Sequence, residues 1–185
     1  MLKPRELHEV SALFELLSHP EVSPFVRQKA ETSDGYYFVT KKTIEDEKKG
    51  ELISRTIVDE YHHPIGTINL FDIQNNCGFL ATWIGKPYFG KGYNQLAKEL
   101  FFEELFYELG LDAVFIKIRR TNIRSLKAIL KFPYVALGNS LYPEVYQQIN
   151  AVDDVYDLFI ISKYHYMSYK QFEQTELQDT GEEVS

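Results

Sequence analysis

Two glycines at a spacing of two, Gly90 and Gly92, stand between an apolar run that closes on Trp83-Ile84-Gly85 and a helix-forming run that opens near Tyr93. Residues without a Cβ let successive backbone N–H groups converge on one small space, where they add to the positive end of the helix that follows. The stretch therefore reads as a strand, a tight turn and a helix, arranged so that an anion fits at the turn. The helix is the best defined in the chain. Leu96, Ala97, Leu100, Phe101, Leu105 and Leu109 recur at threes and fours, Gln95, Lys98, Glu99 and Glu103 fall between them, and Gly110 stops it.

Upstream, residues 8–30 read as two short helices bent at His19-Pro20. Tyr36 to Val39 reads as a short first strand, followed by a third helix with Thr43 available as its cap and Gly50 as its stop. Leu52–Asp59, Ile65–Ile73 and Gly78–Ile84 are rich in β-formers and separated by YHHP and QNNC turns, which predicts an antiparallel meander of second, third and fourth strands. Downstream, Ala113–Ile118 is a fifth strand, a helix runs from Asn122 to about Lys131, and Tyr134–Leu137 and Val155–Ser162 supply two more strands. A single domain over residues 1–173 is expected, with the acidic tail 174–185 disordered.

Several function classes are excluded early. No window holds the roughly 18 uninterrupted apolar residues of a membrane helix. MLKPRELHEV lacks an apolar core for secretion and the single Cys77 permits no internal disulfide, so a cytoplasmic protein without membrane partners is expected. A formal charge of −7 argues against a general nucleic-acid binder. The charge is unevenly spread: between Lys86 and Lys131 nine basic residues face five acidic ones, leaving the remainder of the chain at −11. This suits a polyanionic ligand near the glycine turn, although charged helix faces that only solubilise the fold would look the same.

Three phosphate motifs and a plain structural turn compete for the glycines. Gly85 to Lys91 has the spacing of a nucleotide P-loop, but Gly92 stands where a hydroxyl must hold magnesium. A dinucleotide fingerprint from Gly90 fails at Gln95, where a glycine or alanine is needed. The third motif is the pyrophosphate loop of the GNAT superfamily of N-acetyltransferases, [QR]xxGx[GA], matched by Pro87-Tyr88-Phe89-Gly90-Lys91-Gly92 with Pro at its first place. The chain resembles most closely the branch containing the ribosomal-protein alanine acetyltransferases. In that branch an aromatic residue precedes GxGY, as Phe89 does here, and N-x-x-S opens the helix after the fifth strand, as Asn122-Ile123-Arg124-Ser125 does.

The resemblance, over most of residues 2–163, implies an α+β sandwich with the GNAT fold: a mixed, mostly antiparallel sheet flanked by helices, with splayed fourth and fifth strands. It implies acetyl-CoA as cosubstrate and no metal. The backbone of Trp83, Ile84 and Gly85 would pair with the pantetheine arm. Amides of Phe89, Gly90, Lys91, Gly92, Tyr93 and Asn94 would hold the pyrophosphate, with the Lys91 ammonium beside it. Asn122 would position the pantetheine and thioester and Ser125 would lie close by, while a helix N-cap is the ordinary role for Asn122. The sequence departs from the branch at Leu96, where an acid is usual, at Lys131-Phe132-Pro133-Tyr134, and at Ile129, where many relatives carry the tyrosine that protonates the leaving thiolate.

The reaction this implies is acetyl transfer to a primary amine, either a protein N-terminal α-amine or a small cationic amine. An α-amino group, pKa about 7.8, sheds its proton more easily than lysine near about 10.4, a difference of roughly 3.5 kcal/mol. No acid stands in the fourth strand near Trp83, and Asp72 is the one candidate base. His62-His63 lacks the further ligands of a metal site, and Cys77 has no histidine beside it to make a nucleophile. Tyr142, Tyr146 and Tyr156, with Glu144, Asp153, Asp154 and Asp157, are candidates for the acceptor side. The contrasting class is a non-catalytic acyl-CoA-binding or regulatory module of the same fold. Acyl length and assembly, a homodimer among the options, stay open at this point.

Overall fold

A computed structural model describes the backbone of residues 1–182 and the side chains of residues 1–176. The chain divides into two compact units, the first Met1–Gly110 and the second beginning at Leu111.

In the first unit four strands lie in the order β1 (Leu2–Pro4), β2 (Ile53–Val58), β3 (Pro64–Gln74) and β4 (Cys77–Ile84), each antiparallel to its neighbour. The expected meander is present, and the β3–β4 turn shows why. Asn75 and Asn76 have φ of 50° and 57°, the left-handed pair that a two-residue hairpin turn requires and that asparagine tolerates.

The expected strand at Tyr36–Val39 is helix instead. α2 runs Ser33–Lys48, begun by Thr32, whose side chain accepts from the Gly35 N–H at 3.0 Å, and followed by Gly50 at φ 76°. Tyr36, Thr40, Thr43 and Asp46 are its buried residues, a helical spacing of four, three and three, so burial overrides the strand preference of YYFV. The first strand is Leu2–Pro4. Between residues 8 and 30 there is one α-helix, α1 (Val10–Leu17), with single 3-10 turns at Leu7–Glu9 and Ser23–Phe25.

Alternation along the strands sets the two faces of this sheet. Ser54, Thr56, Thr67, Asn69 and Trp83 share one face through the pairs Ser54–Asn69, Thr56–Thr67 and Thr67–Trp83. α1 and α2 cover it: Glu9 accepts from the Thr56 hydroxyl at 2.7 Å, and Trp83 joins Val10, Leu13, Leu17 and Tyr36 in one buried cluster. Arg55 points the other way and binds Glu104, just beyond α3 (Tyr93–Glu103), which places α3 on the opposite face.

α3 buries Ala97, Lys98, Phe101 and Phe102 and continues as one wider π turn over Glu104–Glu108, after which Gly110 has φ 73°. The extra residue in that turn lets neighbouring Leu105 and Phe106 both be fully buried. The buried stripe is thus rotated from the expected one: Leu96 and Leu109 are exposed, and Lys98 is inside.

In the second unit β7 (Tyr156–Ser162) lies between β5 (Ala113–Arg119) and β6 (Ala136–Leu137), antiparallel to both. α4 is Ile123–Ile129, and α5 (Pro143–Ile149) and α6 (Lys163–Glu182) have no counterpart in the sequence expectations. The backbone of 174–182 is therefore helical where a disordered acidic tail is expected, and 183–185 lie outside the described residues. Among the described residues no helix is long and apolar enough to cross a membrane.

Candidate functional site

The glycine turn is built from β4 outward. β4 pairs Trp83 with Thr67 and Ile84 with Gly66, and the Gly85 N–H continues the ladder to the Ile65 carbonyl at 2.8 Å. Gly66 is required by this approach, since a Cβ there would lie 2.2 Å from the Trp83 carbonyl oxygen. The chain then makes one 3-10 turn, Lys86–Tyr88, with Pro87 inside it. This turn commits two amides: Tyr88 N–H donates to Gly85 O at 3.0 Å and Phe89 N–H to Lys86 O at 3.2 Å. The Phe89 ring packs against the buried cluster around Trp83. Phe89 and the Trp83 side chain therefore brace the turn from inside.

The open part of the turn begins at Gly90. Gly90 and Gly92 have φ of 75° and 85°, and a Cβ on either would meet nothing within 4 Å, so clear space lies in front of them. The first helical bond from here runs from Leu96 N–H to Gly92 O at 3.1 Å. The earlier amides of the helix start have no acceptor within the helix, Gly92 carries no side-chain cap, and no acid stands in the first turn. This arrangement concentrates N–H groups without neutralising them, as an anion site needs.

Side chains around the turn divide into anchors and an exposed cation. The Tyr93 hydroxyl donates to the Glu60 carboxylate, which pushes the tyrosine up to about 12 and pins the start of α3 to the β2–β3 turn. Lys86 is spent on Glu21 at 2.5 Å. Lys91 stands 5.5 Å above the Tyr88 ring and makes no ion pair among the described residues. One turn deeper, Asn94 Oδ1 is buried without a hydrogen-bond partner among the described residues. Lys98, four residues on and so on the same face, is lowered to about 8 by desolvation. Nothing in the sequence marks Lys98, because a lysine between apolar helix positions reads as solvated.

In the second unit Asn122 closes α4 as an N-cap, its Oδ1 accepting from Ser125 N–H at 3.2 Å and its carbonyl from Leu126 N–H at 3.0 Å. Its Nδ2 donors are not used in the cap. Ser125 is half-buried beside it. Ile129 is fully buried. Of the residues named for an acceptor side, Arg120 binds Asp154 at 2.8 Å, Asp157 at 3.1 Å and the Tyr146 hydroxyl at 2.7 Å. Those bonds hold the Asp154 carboxyl below its ordinary range and raise Arg120.

A shallow cleft lies on the α1–α2 side of the first unit's sheet, its enclosed space about that of one water molecule. Ala81, Thr82 and Trp83 of β4 border it, so it adjoins the strand that leads into the glycine turn. Thr67, Asn69 and Phe71 lie on its sheet side, and Phe25, Val26, Arg27, Gln28 and Tyr36 border it elsewhere. Asp72 sits outside this lining, at φ 54° where the β3–β4 register shifts, and both its oxygens accept from Arg27 Nη2, at 2.9 and 2.8 Å.

A family model described as an acetyltransferase (GNAT) domain matches residues 1–133. Among solved structures, the chain is similar to the apo form of FdhC, a nucleotide-linked sugar GNAT, at 18% identity and TM-score 0.72 over 94% of this chain and 92% of that one. It is similar to a single-site mutant of the spermidine N-acetyltransferase SpeG from Vibrio cholerae, at 16% identity and TM-score 0.71 over 90% and 95%. A Vibrio cholerae protein assigned as a ribosomal-protein-serine acetyltransferase gives 16% identity and TM-score 0.69 over 87% and 92%. No curated protein matches the sequence. At these identities the structural likeness establishes the fold, and it is the flanked, mostly antiparallel α+β fold expected from the sequence.

Proposed function

The chain belongs to the GNAT acetyltransferase domain family, and from that premise we propose that it is an acetyl-CoA-dependent N-acetyltransferase acting on a primary amine. The observation that carries this reading is the uncapped start of α3, with Gly90 and Gly92 in left-handed conformation and open space before them. A diphosphate fits such a turn: the amides from Gly90 to Asn94 donate to its oxygens, and Lys91 adds a charge-assisted contact. Phe89 contributes a wall, its amide being committed to Lys86.

When bound, acetyl-CoA supplies the activated acetyl group. The backbone of Trp83, Ile84 and Gly85, hydrogen-bonded to β3, is the segment that the family motif assigns to the pantetheine amides, which it would pair as a further strand would. Asn122 through its unused Nδ2, and Ser125, are the residues of the second unit that the family motif assigns to the same arm. In the transfer the amine nitrogen forms the new C–N bond, the C–S bond breaks, and one amine proton passes through solvent to the departing thiolate. Among the described residues no carboxylate borders the cleft beside β4, and both oxygens of Asp72 are held by Arg27. An amine that is already partly neutral is therefore the preferred acceptor, which favours a peptide α-amine, about 7.8, over a lysine, about 10.4.

The test is thiol release from acetyl-CoA with a panel of amines, run beside calorimetric titration of acetyl-CoA. Binding together with amine-dependent thiol release is expected, faster for a free peptide N-terminus than for a lysine side chain. The buried Ile129, where relatives place an acid tyrosine, favours a second reading, a non-catalytic acyl-CoA-binding module. Binding without thiol release on any amine would establish that second reading in place of the first.

A further inference from the structure

Glycine at two positions of a three-residue turn leaves the backbone free to take several conformations, so something outside the glycines has to hold Gly90 and Gly92 left-handed. Two tyrosines bracket them. Tyr88 stands before the glycines and Tyr93 after, yet their rings meet edge to face with centroids 5.9 Å apart, which draws the backbone between them into a closed loop. Lys91, inside that loop, lies 5.5 Å over the Tyr88 ring. The Tyr93 hydroxyl donates to the carboxylate of Glu60, 33 residues away in the turn between β2 and β3. That turn is itself well fixed. Asp59, only 6% exposed, accepts from the Tyr61 N–H at 2.9 Å and the His63 N–H at 2.8 Å, and its own N–H donates to the His63 carbonyl at 3.1 Å.

Glu60 has the wrong charge for a polyanion site. The Tyr93 hydroxyl holds its carboxyl below the ordinary range and the Lys91 ammonium adds to this, so it is an anion at neutral pH beside the turn assigned to the diphosphate. Whatever Glu60 adds to binding it therefore adds through Tyr93, not through its charge. We propose that Tyr88, Tyr93 and Glu60 form a clasp of positioning residues that fixes the glycine turn in its anion-receiving conformation before a ligand arrives, sparing the ligand the entropy of ordering the loop. The inference rests on the acetyl-CoA reading for its ligand, but the side chains of Tyr88, Tyr93 and Glu60 have no part in that reading.

Charge and clasp predict opposite signs, so variants of the full chain separate them. Acetyl-CoA affinity is measured by calorimetry at about 0.05 and 0.5 M salt, with thermal unfolding as the check on fold. Tyr93→Phe keeps the ring contact and loses the anchor; binding should weaken about fivefold at both salts, the worth of one hydrogen bond, with the unfolding midpoint unmoved. Tyr88→Leu, which loses the ring contact, should weaken it to a similar extent. Glu60→Gln keeps an acceptor without the charge and should bind at least as tightly as the parent, its advantage shrinking as salt is added. Glu60→Ala lacks both, so at the higher salt it should match Tyr93→Phe, and the double variant should be no weaker than either. In the unliganded protein, NMR order parameters of the Gly90 and Gly92 amides should be those of rigid backbone in the parent and fall in Tyr93→Phe. Amides equally ordered in the two proteins, or losses that simply add in the double variant, overturn the clasp while the acetyl-CoA reading stands. No binding of acetyl-CoA by the parent sinks that reading, whatever the amides do.

Discussion

Burying the ammonium of Lys98, which is 7% exposed, makes the stability of the fold depend on pH in an unusual direction. Desolvation lowers this lysine to about 8 from an unfolded value near 10.5. Between those values the unfolded chain holds more protons than the folded one, so stability rises with pH there, and the penalty is complete below about pH 8. Its size is on the order of 3 kcal/mol. Urea unfolding should find Lys98→Met more stable than the parent at pH 7, with the gap narrowing by about 2 kcal/mol by pH 9.5. A gap that ignores pH would contradict this. The glycines beside the site differ at the same scale. Gly92→Ala strains a φ of 85° but meets no atom, so it should cost about 1 kcal/mol and weaken acetyl-CoA binding by putting a methyl before the amides. Gly66→Ala brings a Cβ to 2.2 Å from a backbone oxygen and should be far more damaging in thermal unfolding, with any loss of binding following from loss of fold. Gly90 and Gly92 were legible in the sequence because left-handed backbone selects glycine. The partnership of Arg27 with Asp72 was not, because 45 residues separate them and only the bulge after Phe71 turns the carboxylate toward the arginine.

Elements whose stability is local could be read from the sequence, and those decided by packing could not. The β3–β4 hairpin follows from two asparagines between alternating apolar residues, and its strands lie within a residue or two of the expected bounds. YYFV has the composition of a strand, yet Thr32 three residues before Gly35 caps a helix, and the spacing of Tyr36, Thr40 and Thr43 fits a helix face. The tertiary bonds of that face, Arg5 Nη2 to the Tyr36 hydroxyl at 3.4 Å and to Thr40 at 3.3 Å, are invisible in the sequence. Thr32→Ala removes the cap and should destabilise the first unit by about 1 kcal/mol, seen as a lower urea midpoint at unchanged slope. Thr32→Asp, which keeps an acceptor and adds a favourable charge at the helix start, should restore the midpoint. If both variants unfold alike, Thr32 does not cap α2 in solution.

Over the whole molecule the charge is −7, so a polyanionic cosubstrate approaches a surface that repels it on average and must be drawn by local features. At the glycine turn those features are of two kinds. The amides from Gly90 to Asn94 are fixed dipoles that act only at contact, and salt changes them little. Lys91 is a solvent-exposed charge whose reach is the Debye length, about 10 Å at 0.1 M salt and about 3 Å at 1 M. Lys86 adds less, because Glu21 cancels it. Raising the salt also screens the repulsion from the remainder of the chain, and the two effects oppose one another. Acetyl-CoA binding by the parent should therefore weaken only a few-fold between about 0.05 and 0.5 M salt. In Lys91→Ala the local attraction is gone and the general repulsion stays, so binding should be weaker at low salt and strengthen as salt is added. That reversal of slope, measured by titration at constant pH, separates a site held by backbone donors within an acidic protein from one held by a basic patch. A Lys91→Ala protein whose binding still falls steeply with salt would show that other cations hold the phosphates, and the fixed amides would lose their assigned role.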